Sequence, residues 1–394
     1  MKHGSWLAAC AAAVLFCGPA PSHANGASET VLHSFPSNAD PGSQLTADGQ
    51  GSLYGTAPYL DGDGGVFRIK SRRGNWVYKT IFDFNGKDGS IPGPGLARDD
   101  ATGIFYGVTG EGGTSNGGTV YALTPNGRGW KETVLHNFGA GEDPFGPLLR
   151  DKDTGNLYGT TYAGGGCGTA FQLVQSNGGW AFSSIYAFGG GEDGCHPSTQ
   201  LRPTKNPGTL VGSTIRGGGN DDGYGTLFQL KQTAGVWSES VIYRFTGAID
   251  GSRPFDLDAA GDGTIYGVAY GGGVYDQGTV FQLTPKHKGW EFSVIYSFGG
   301  GGDGIGPTGI NFDASEGVLY GTTQDGGKWK AGTVFELTKV GGSWKENVLY
   351  SFKGGSDGAG PLARPVVNKT TGALYGTTCC GGTYNGGTVY ELQP

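Results

Sequence analysis

Apolar residues in this chain come in short runs that alternate with polar residues and end at glycine, proline, aspartate or asparagine. The runs are rich in β-branched and aromatic residues, as in GVLYGTT at 317–323 and GTVFELT at 332–338. Such runs predict short β-strands joined by tight turns. Beyond residue 24, no segment combines a helical period with capping residues, so we expect an all-β fold.

These strand-like runs recur in a fixed order. The phrase LYGT, or a close variant, places its glycine at Gly55, Gly107, Gly159, Gly212, Gly267, Gly321 and Gly376. Successive glycines are 52 to 55 residues apart, which is near the length of one four-stranded β-propeller blade. Each unit also contains four strand-like runs. The sequence therefore predicts a seven-bladed β-propeller with four antiparallel strands per blade.

The order of strands predicts how the ring closes. The phrase typical of a fourth strand first occurs as ETVLHSF at 29–35, before any first strand, whereas 387–394 follow directly on a third strand. We expect the N-terminal strand to complete the last blade, because this arrangement pairs both terminal edges. Residues 25–394 then form a single propeller domain.

Composition changes this picture little. The 81 glycines and 19 prolines alone would favour a disordered chain. However, 47 aromatic residues recur at fixed distances from the glycines, so the glycines are interpreted as turn residues between strands. A formal net charge of −7 gives no reason to expect nucleic acid as a partner. Separately, we expect a monomer.

Residues 1–24 have the pattern of a secretory signal peptide. Lys2 precedes an apolar run too short to span a bilayer, and Ser22-His23-Ala24 fits a cleavage site. We expect cleavage after Ala24 and a periplasmic or secreted product. No later segment is apolar enough over a sufficient length to predict a transmembrane helix.

The repeats resemble those of the GloVer family, the choice-of-anchor tandem repeat proteins, whose units read much like LYGTT-x-GG-GTVF-L followed by F-x-DG-x-P. The resemblance covers residues 29–394. It implies an exported propeller-like protein, often attached to the cell surface by a C-terminal anchor. Pro394 ends the last repeat, so we expect a free protein here. The resemblance implies no established activity and no catalytic residues.

In a propeller, the hairpin between the second and third strands shares a face with the loops that connect consecutive blades, and ligands usually bind there. Two neighbouring inter-blade loops depart from the repeat by carrying His196 and Arg253. This pair suits recognition of an acidic sugar, or general-base and carboxylate-clamp roles in a lyase. The alternative is that His196 is an inert loop residue.

Each inter-blade loop also contains an aspartate. The seven are Asp40, Asp88, Asp143, Asp193, Asp250, Asp303 and Asp357. We interpret them as turn formers, because an Asp-Gly carboxylate bonds to nearby backbone. A calcium site that includes Asp193, Asp250 and Asp303 is the less favoured alternative, and no cofactor is required.

The hairpins between second and third strands supply the remaining candidates. These ligand-binding candidates are Arg216, Tyr270, Tyr275, Lys328, Trp329 and Lys330. A tryptophan flanked by two lysines suits stacking on a sugar ring, although it would equally cover its own blade. We interpret the recurring fourth-strand tryptophans as structural, and likewise His33 and His136, which replace a recurring tyrosine.

Four cysteines follow Ala24. Cys167 lies in the third blade's hairpin and Cys195 in the loop that leaves this blade, so we predict a disulfide between them. Cys379 and Cys380 are adjacent, and a vicinal bridge, two free thiols and pairing between molecules remain open.

Taken together, the sequence favours an exported binding or interaction module for glycan or another extracellular polymer. One alternative is a polysaccharide lyase or glycoside hydrolase that uses the same face. A second is a structural envelope or matrix protein. Propeller architecture alone is compatible with all three.

Overall fold

The computed structural model describes residues 27–176, 179–219 and 223–394, and the predicted signal peptide lies outside these ranges. The described residues form seven small antiparallel sheets arranged in a ring. The protein is therefore a seven-bladed β-propeller, as the repeat predicts. Within the described ranges, the helical segments are two 3₁₀ turns at Gly191–Asp193 and Gly355–Asp357. None of the described helices is long and apolar enough to cross a membrane.

Strands are numbered in chain order. Blade 1 contains β2 (Thr46–Ala47), β3 (Ser52–Ala57), β4 (Gly65–Arg72) and β5 (Asn75–Asp83). Blade 2 contains β6 (Ser90–Pro92), β7 (Ala97–Arg98), β8 (Phe105–Glu111), β9 (Thr119–Asn126) and β10 (Gly129–Asn137). Blade 3 contains β11 (Leu149–Arg150), β12 (Leu157–Thr161), β13 (Thr169–Ser176) and β14 (Gly179–Ala187).

Blade 4 contains β15 (Cys195–Pro197), β16 (Arg202–Pro203), β17 (Thr209–Arg216), β18 (Thr226–Thr233) and β19 (Val236–Arg244). Blade 5 contains β20 (Ser252–Ala259), β21 (Ile265–Gly271), β22 (Thr279–Pro285) and β23 (Trp290–Ser297). Blade 6 contains β24 (Ile305–Asp313), β25 (Val318–Asp325), β26 (Thr333–Val340) and β27 (Ser343–Ser351). Blade 7 contains β28 (Val366–Val367), β29 (Leu374–Thr378), β30 (Thr388–Gln393) and β1 (Ser28–Ser34).

The N-terminal strand completes blade 7, as predicted. β1 pairs antiparallel with β30, with Ser28 opposite Gln393 and Ser34 opposite Thr388. One residue later, the Phe35 amide donates a hydrogen bond of 3.0 Å to the carbonyl of Gly387. The Phe35 side chain is fully buried. The first and last strands are thus joined by a ladder with one register shift, between Val31 and His33.

The innermost strands are less regular than the repeat suggests. They are continuous in blades 5 and 6, broken into two segments in blades 2 and 4, and only two residues long in the other blades. Prolines such as Pro92 and Pro197 lie within or at the end of these segments. A proline also lies in the continuous innermost strands of blades 5 and 6, at Pro254 and Pro307, and the pairing register shifts directly after each of them.

The recurring LYG glycine is explained by packing within each blade. The side chain opposite it on the third strand is a phenylalanine or tyrosine, such as Phe171 opposite Gly159. A Cβ atom on any of the seven LYG glycines would lie within 3.0 Å of that ring. The ring therefore lies directly across the glycine Cα, and no larger residue fits without displacing it.

The threonines of the repeat fasten the base of the same hairpin. Thr161 and Thr169 bring their hydroxyl oxygens to 2.9 Å in blade 3, and both side chains are buried. Equivalent pairs, at 2.8–3.0 Å, occur in blades 2, 4, 6 and 7. The phrase LYGTT followed by GT thus accounts for two contacts. Its glycine packs against the aromatic ring of the third strand, and its threonines form the hydrogen-bonded pair at the base of the hairpin.

Tryptophans connect one blade to the next. Five of them, on outermost strands, approach a tyrosine on the second strand of the preceding blade, with ring centroids 5.6–6.1 Å apart. These near-perpendicular contacts account for the constant position of tryptophan in the repeat. The predicted structural role agrees with this placement.

Candidate ligand-binding face

One face of the ring carries both the second-to-third hairpins and the inter-blade loops. In blade 4, Cys195 at the start of the innermost strand lies opposite Arg216 at the end of the second strand. Ser252 and Gly271 show the same register in blade 5. Every candidate residue in a hairpin or an inter-blade loop therefore belongs to this ligand face, as expected for a propeller.

A cavity of about 210 Å³ occupies the mouth of the central channel on this face. Residues in or next to the innermost strands of all seven blades contribute to its lining. Its walls include Phe145, Tyr162, Phe255 and Leu362, and both phenylalanines are partly exposed. A wall of this kind suits the apolar face of a small ring, while Asp256 and Arg364 supply charge deeper in the cavity.

Below this cavity lies a buried ionic cluster, which we call the channel-floor cluster. Its members are Arg202, Asp256, Asp258 and Arg364, from blades 4, 5 and 7. Arg364 donates one hydrogen bond to Asp256, one of 3.0 Å to Asp258 and one of 2.7 Å to the carbonyl of Leu257. Its side chain is only 4% exposed. The cluster is electrically balanced and joins non-adjacent blades across the axis.

The two arginines of this cluster differ in how well they are paired. Arg202 approaches Asp256 and Asp258 only to 4.0 and 3.9 Å, and its Nη2 is a buried donor without a hydrogen-bond partner among the described residues. Burial, with the nearby positive charge of Arg364, lowers the pKa of Arg202 to about 10. The guanidinium therefore remains charged at neutral pH.

The predicted catalytic pair lies on the ligand face, but each of its two residues packs against a different tyrosine. His196 stacks on Tyr162 with ring centroids 4.4 Å apart, and its Nδ1 lies 2.9 Å from the Tyr162 carbonyl oxygen. A carbonyl oxygen only accepts, so Nδ1 carries the proton. Arg253 places its guanidinium 4.8 Å from the ring centre of Tyr270. Neither contact joins the two residues into one catalytic unit.

Six of the seven loop aspartates fall into two sets, whereas Asp88 accepts hydrogen bonds from the amide and the side chain of Asn85, three residues earlier. Asp193, Asp250, Asp303 and Asp357 each accept hydrogen bonds from the amide four residues earlier and from a tyrosine hydroxyl seven residues earlier. Asp40 and Asp143 instead lie directly before the loop proline, in a left-handed backbone conformation. His196 in β15 and Arg253 in β20 occupy that pre-proline position, in the same left-handed conformation.

These contacts give the aspartates a structural role within their own loops. Asp193, Asp250 and Asp303 each direct carboxylate oxygens at their own backbone and tyrosine. Across the described ranges, no three histidine, cysteine or acidic residues come together in a way that would hold a metal ion. The hydrogen bonds of Asp193, Asp250 and Asp303 are those of turn formers, and the calcium alternative stays a prediction.

Exposed aromatic side chains form an arc on the ligand face. We define the aromatic arc as Tyr224, Tyr275, Trp329, Tyr384 and Tyr59, from the hairpins of blades 4, 5, 6, 7 and 1. Their side chains are between 49% and 64% exposed. Tyr275, Trp329 and Tyr384 occupy the same place in the repeat, four residues before the Gly-Thr threonine. Five consecutive blades thus present a ring to solvent.

Two arc residues rest on the loop that follows their blade. Tyr224 lies against Gly247, and Tyr275 lies against Gly299. Lys328 places its ammonium group 5.0 Å from the ring centre of Trp329, and Lys330 is exposed beside it. One side of such a ring is supported by backbone, which leaves its other side for a ligand.

The remaining hairpin candidates have different surroundings. Tyr270 is half-buried beneath Arg253 and lies close to Gly306, so it supports the loop rather than belonging to the arc. Arg216 is exposed at the end of β17. The sequence analysis missed Tyr59, Tyr224 and Tyr384. For Tyr384 the signal was present, since the repeat aligns it with Trp329.

The predicted disulfide is confirmed. Cys167 and Cys195 are bonded, and the His196 amide donates a hydrogen bond of 2.8 Å to the Cys167 carbonyl. The bridge fastens the blade 3 hairpin to the loop that enters blade 4. Blade 3 thus has a covalent link in its hairpin, where the next blade carries the arc residue Tyr224.

A second repeated feature lies at the seams between blades. One outer-strand position holds an aromatic residue in three blades, and each ring stacks on the preceding blade, as Phe182 does on His136 at 3.7 Å. In the other four blades this position holds Glu29, Glu132, Glu239 and Glu346. Within the described residues, each of these seam glutamates has a buried Oε1 without a hydrogen-bond partner.

Burial changes how the seam glutamates titrate. Desolvation, reinforced by Asp303 and Glu336, raises the pKa of Glu346 from 4.5 to about 8. Burial and Asp357 raise the pKa of Glu29 to about 8, and burial likewise raises those of Glu132 and Glu239 to about 7. The folded protein therefore holds protons that the unfolded chain releases.

Stability should fall as pH rises through this interval, and Glu346→Gln should weaken the fall. Between pH of about 4.5 and about 8, the folded state keeps the Glu346 proton and the unfolded state does not, so each added pH unit favours unfolding. Glutamine does not ionise, so the variant lacks this pH-dependent contribution to the free energy of unfolding. Urea unfolding midpoints at several pH values measure the slope. Glu291→Gln, at an exposed ion pair, is the control. Identical slopes of stability against pH in the wild type, Glu346→Gln and Glu291→Gln would contradict the prediction.

The sequence comparison identifies the repeat. A family model described as the Gloeobacter/Verrucomicrobia repeat matches residues 40–273 and 253–394. Among curated proteins, no sequence matches this chain. The matched ranges include all seven LYG glycines and nearly the whole ring.

Solved structures with a similar fold include enzymes. An oligogalacturonate lyase from Vibrio parahaemolyticus is 10% identical, with 93% of each chain covered and a TM-score of 0.59. Proposed 6-phosphogluconolactonases from Bacteroides uniformis and Bacteroides fragilis are 13% and 17% identical. They cover 82% and 87% of this chain and 88% and 89% of their own, with TM-scores of 0.57 and 0.55. At such identities the likeness shows the fold alone.

Proposed function

The chain belongs to the Gloeobacter/Verrucomicrobia repeat family, and from this premise we propose that it is a polymer-binding propeller whose ligand is a glycan. The observation that carries the proposal is the aromatic arc, in which five consecutive blades each expose a ring on one face. The predicted signal peptide supports export, so we include a periplasmic or secreted location and a monomeric state in the proposal.

An arc of separate rings suits an extended ligand better than a compact one. Sugar rings have apolar C–H faces that stack on aromatic side chains, while their hydroxyl groups remain free to meet polar neighbours. Each contact is weak by itself. Contacts on successive blades add along one polymer chain, because the first contact raises the local concentration of the next sugar unit.

Positive charge near the arc favours an acidic glycan over a neutral one. Lys328 and Lys330 flank Trp329, and the exposed Arg253 lies at the start of β20, where the chain enters blade 5. These cations lie on a protein of formal net charge −7. A local positive surface on an acidic protein supports carboxylate or sulfate groups on the ligand.

Affinity electrophoresis in gels containing neutral or uronic-acid polysaccharides tests this function. We expect retardation by at least one acidic polysaccharide, with Trp329→Ala weakening the affinity roughly tenfold, as expected for one stacking contact. Tyr384→Ala should act similarly, and the double variant should lose more than either. Val340→Ala, at an exposed site on the opposite face of the same blade, is the matched control.

Two outcomes would overturn the proposal. One is the absence of retardation by every polysaccharide, together with fractionation in envelope material, which would favour a structural protein. The other is the release of unsaturated products that absorb ultraviolet light, with loss of this activity in His196→Ala. That result would establish a lyase, although His196 and Arg253 are packed against separate tyrosines.

A further inference from the structure

The second cysteine pair lies on the ligand face, in the hairpin of blade 7 that carries Tyr384. Cys379 and Cys380 follow β29 directly, and their Sγ atoms are 2.7 Å apart. Both are free thiols; Cys379 is half-buried and Cys380 is exposed. This separation is far shorter than an ordinary contact between two sulfur atoms and approaches bonding distance.

Backbone hydrogen bonds hold both cysteines in place. The Cys379 amide donates to the carbonyl of Gly360 at 3.0 Å. Cys380 exchanges a pair of hydrogen bonds with Ala359, at 2.9 and 3.2 Å. The Cys379 thiol points toward the Ala359 carbonyl, 3.6 Å away. The inter-blade loop thus fixes the dithiol from one side and leaves Cys380 open to solvent on the other.

We propose that Cys379 and Cys380 form a redox-active vicinal dithiol, which a small disulfide-containing oxidant converts to a vicinal disulfide on the ligand face. This goes beyond glycan binding and does not depend on it. The proposal follows from the short Sγ–Sγ separation, the fixed backbone and the unequal exposure of the two thiols.

The asymmetry assigns a role to each cysteine. Cys380 is accessible, so its thiolate attacks the oxidant disulfide, forms a mixed disulfide and releases one thiol of the oxidant. Burial, and then the adjacent Cys380, raises the pKa of Cys379, which makes Cys379 a poor first nucleophile. Cys379 then loses its proton, attacks the Cys380 sulfur and expels the second oxidant thiol. Two protein thiols are oxidised and one external disulfide is reduced.

The known disulfide provides an internal reference. Cys167 and Cys195 are already bonded and belong to another blade, so they do not compete for the oxidant. Lys369 is the last basic residue of the chain, so trypsin releases residues 370–394 as one peptide that contains both thiols. The state of this pair is therefore read in a single peptide.

Oxidised glutathione added to the full-length protein tests the proposal, with mass spectrometry of the 370–394 peptide as the readout. We expect the wild-type peptide to become lighter by two hydrogen atoms and to regain them with a reducing agent. Cys379→Ser should stop at the glutathione adduct on Cys380. Cys380→Ser should react much more slowly. Before oxidation, a trivalent arsenical should bind the wild-type pair through both sulfurs, with release of water, and should bind neither single variant tightly.

Three results would overturn the proposal. In these results the wild-type peptide retains both thiols, holds a stable glutathione adduct, or appears only in dimers linked through Cys380. Each of these would show that the two sulfurs do not react with each other. The result stands whether or not the protein binds a polysaccharide, because the readout does not involve the polymer.

Discussion

Removal of residues 25–35 should abolish cooperative folding of the monomeric ring. Without β1, β30 becomes an open edge with unpaired amide and carbonyl groups. Phe35 is fully buried, with its ring 5.0 Å from that of Phe67 in blade 1, so its loss also leaves a cavity between blades. We expect a cost on the order of 5 kcal/mol, comparable with the whole stability of a domain.

Thermal unfolding and sedimentation measurements on the shortened chain check this prediction. We expect a broad or absent transition and concentration-dependent association through the open edge. A circular permutant is the control, with residues 27–35 moved behind Pro394 through an Asn-Gly turn. Ser28 lies opposite Gln393, so a tight hairpin reconnects them. The permutant should have a melting temperature close to that of the full-length protein. An unchanged melting curve for the shortened chain would contradict the prediction.

The ring and its closure were predictable because they depend on counting. Seven glycines at a regular spacing fix the number of blades, and one unmatched strand at each end fixes the closure. The Cys167–Cys195 bridge was predictable for the same reason, since both positions were already placed in a hairpin and in the next loop. Such features need only the repeat and the topology.

The site was less predictable, for reasons specific to each residue. Asp40 and Asp143 were grouped with the other loop aspartates, but their loops are shorter, and each aspartate lies directly before the proline. Predicting Tyr384 as a site residue required aligning it with Trp329 at the tip of the hairpin. Predicting the burial of the seam glutamates required knowing which face of the outermost strand meets the preceding blade. Contacts between blades follow from three-dimensional placement, which the spacing within one repeat does not show.

The channel-floor cluster is the clearest example of an unpredictable feature. Arg364 bonds to Asp256 and Asp258, which are more than 100 residues earlier in the chain. The sequence presents these residues as ordinary polar positions in separate repeats. Only closure of the ring brings the inner strands of blades 5 and 7 toward a common axis, where the charges meet in a buried space.

Arg364→Met should therefore lower the free energy of unfolding by about 3–5 kcal/mol, because it leaves two largely buried carboxylates with only Arg202, 3.9–4.0 Å away, as counterion. Urea unfolding measures this change. Lys286→Met breaks the exposed pair with Glu291 and should cost at most about 1 kcal/mol.

A second variant separates the loss of charge pairing from the loss of packing. Asp256→Asn in the Arg364→Met background removes one of the unpaired negative charges, while the asparagine oxygen still accepts the 3.0 Å hydrogen bond from the Ile310 amide. If uncompensated charge causes the destabilisation, the double variant should be more stable than Arg364→Met alone. If the double variant loses further stability, the arginine acts mainly by filling space at the axis. A wild-type midpoint for Arg364→Met would show that the cluster does not hold the inner strands together.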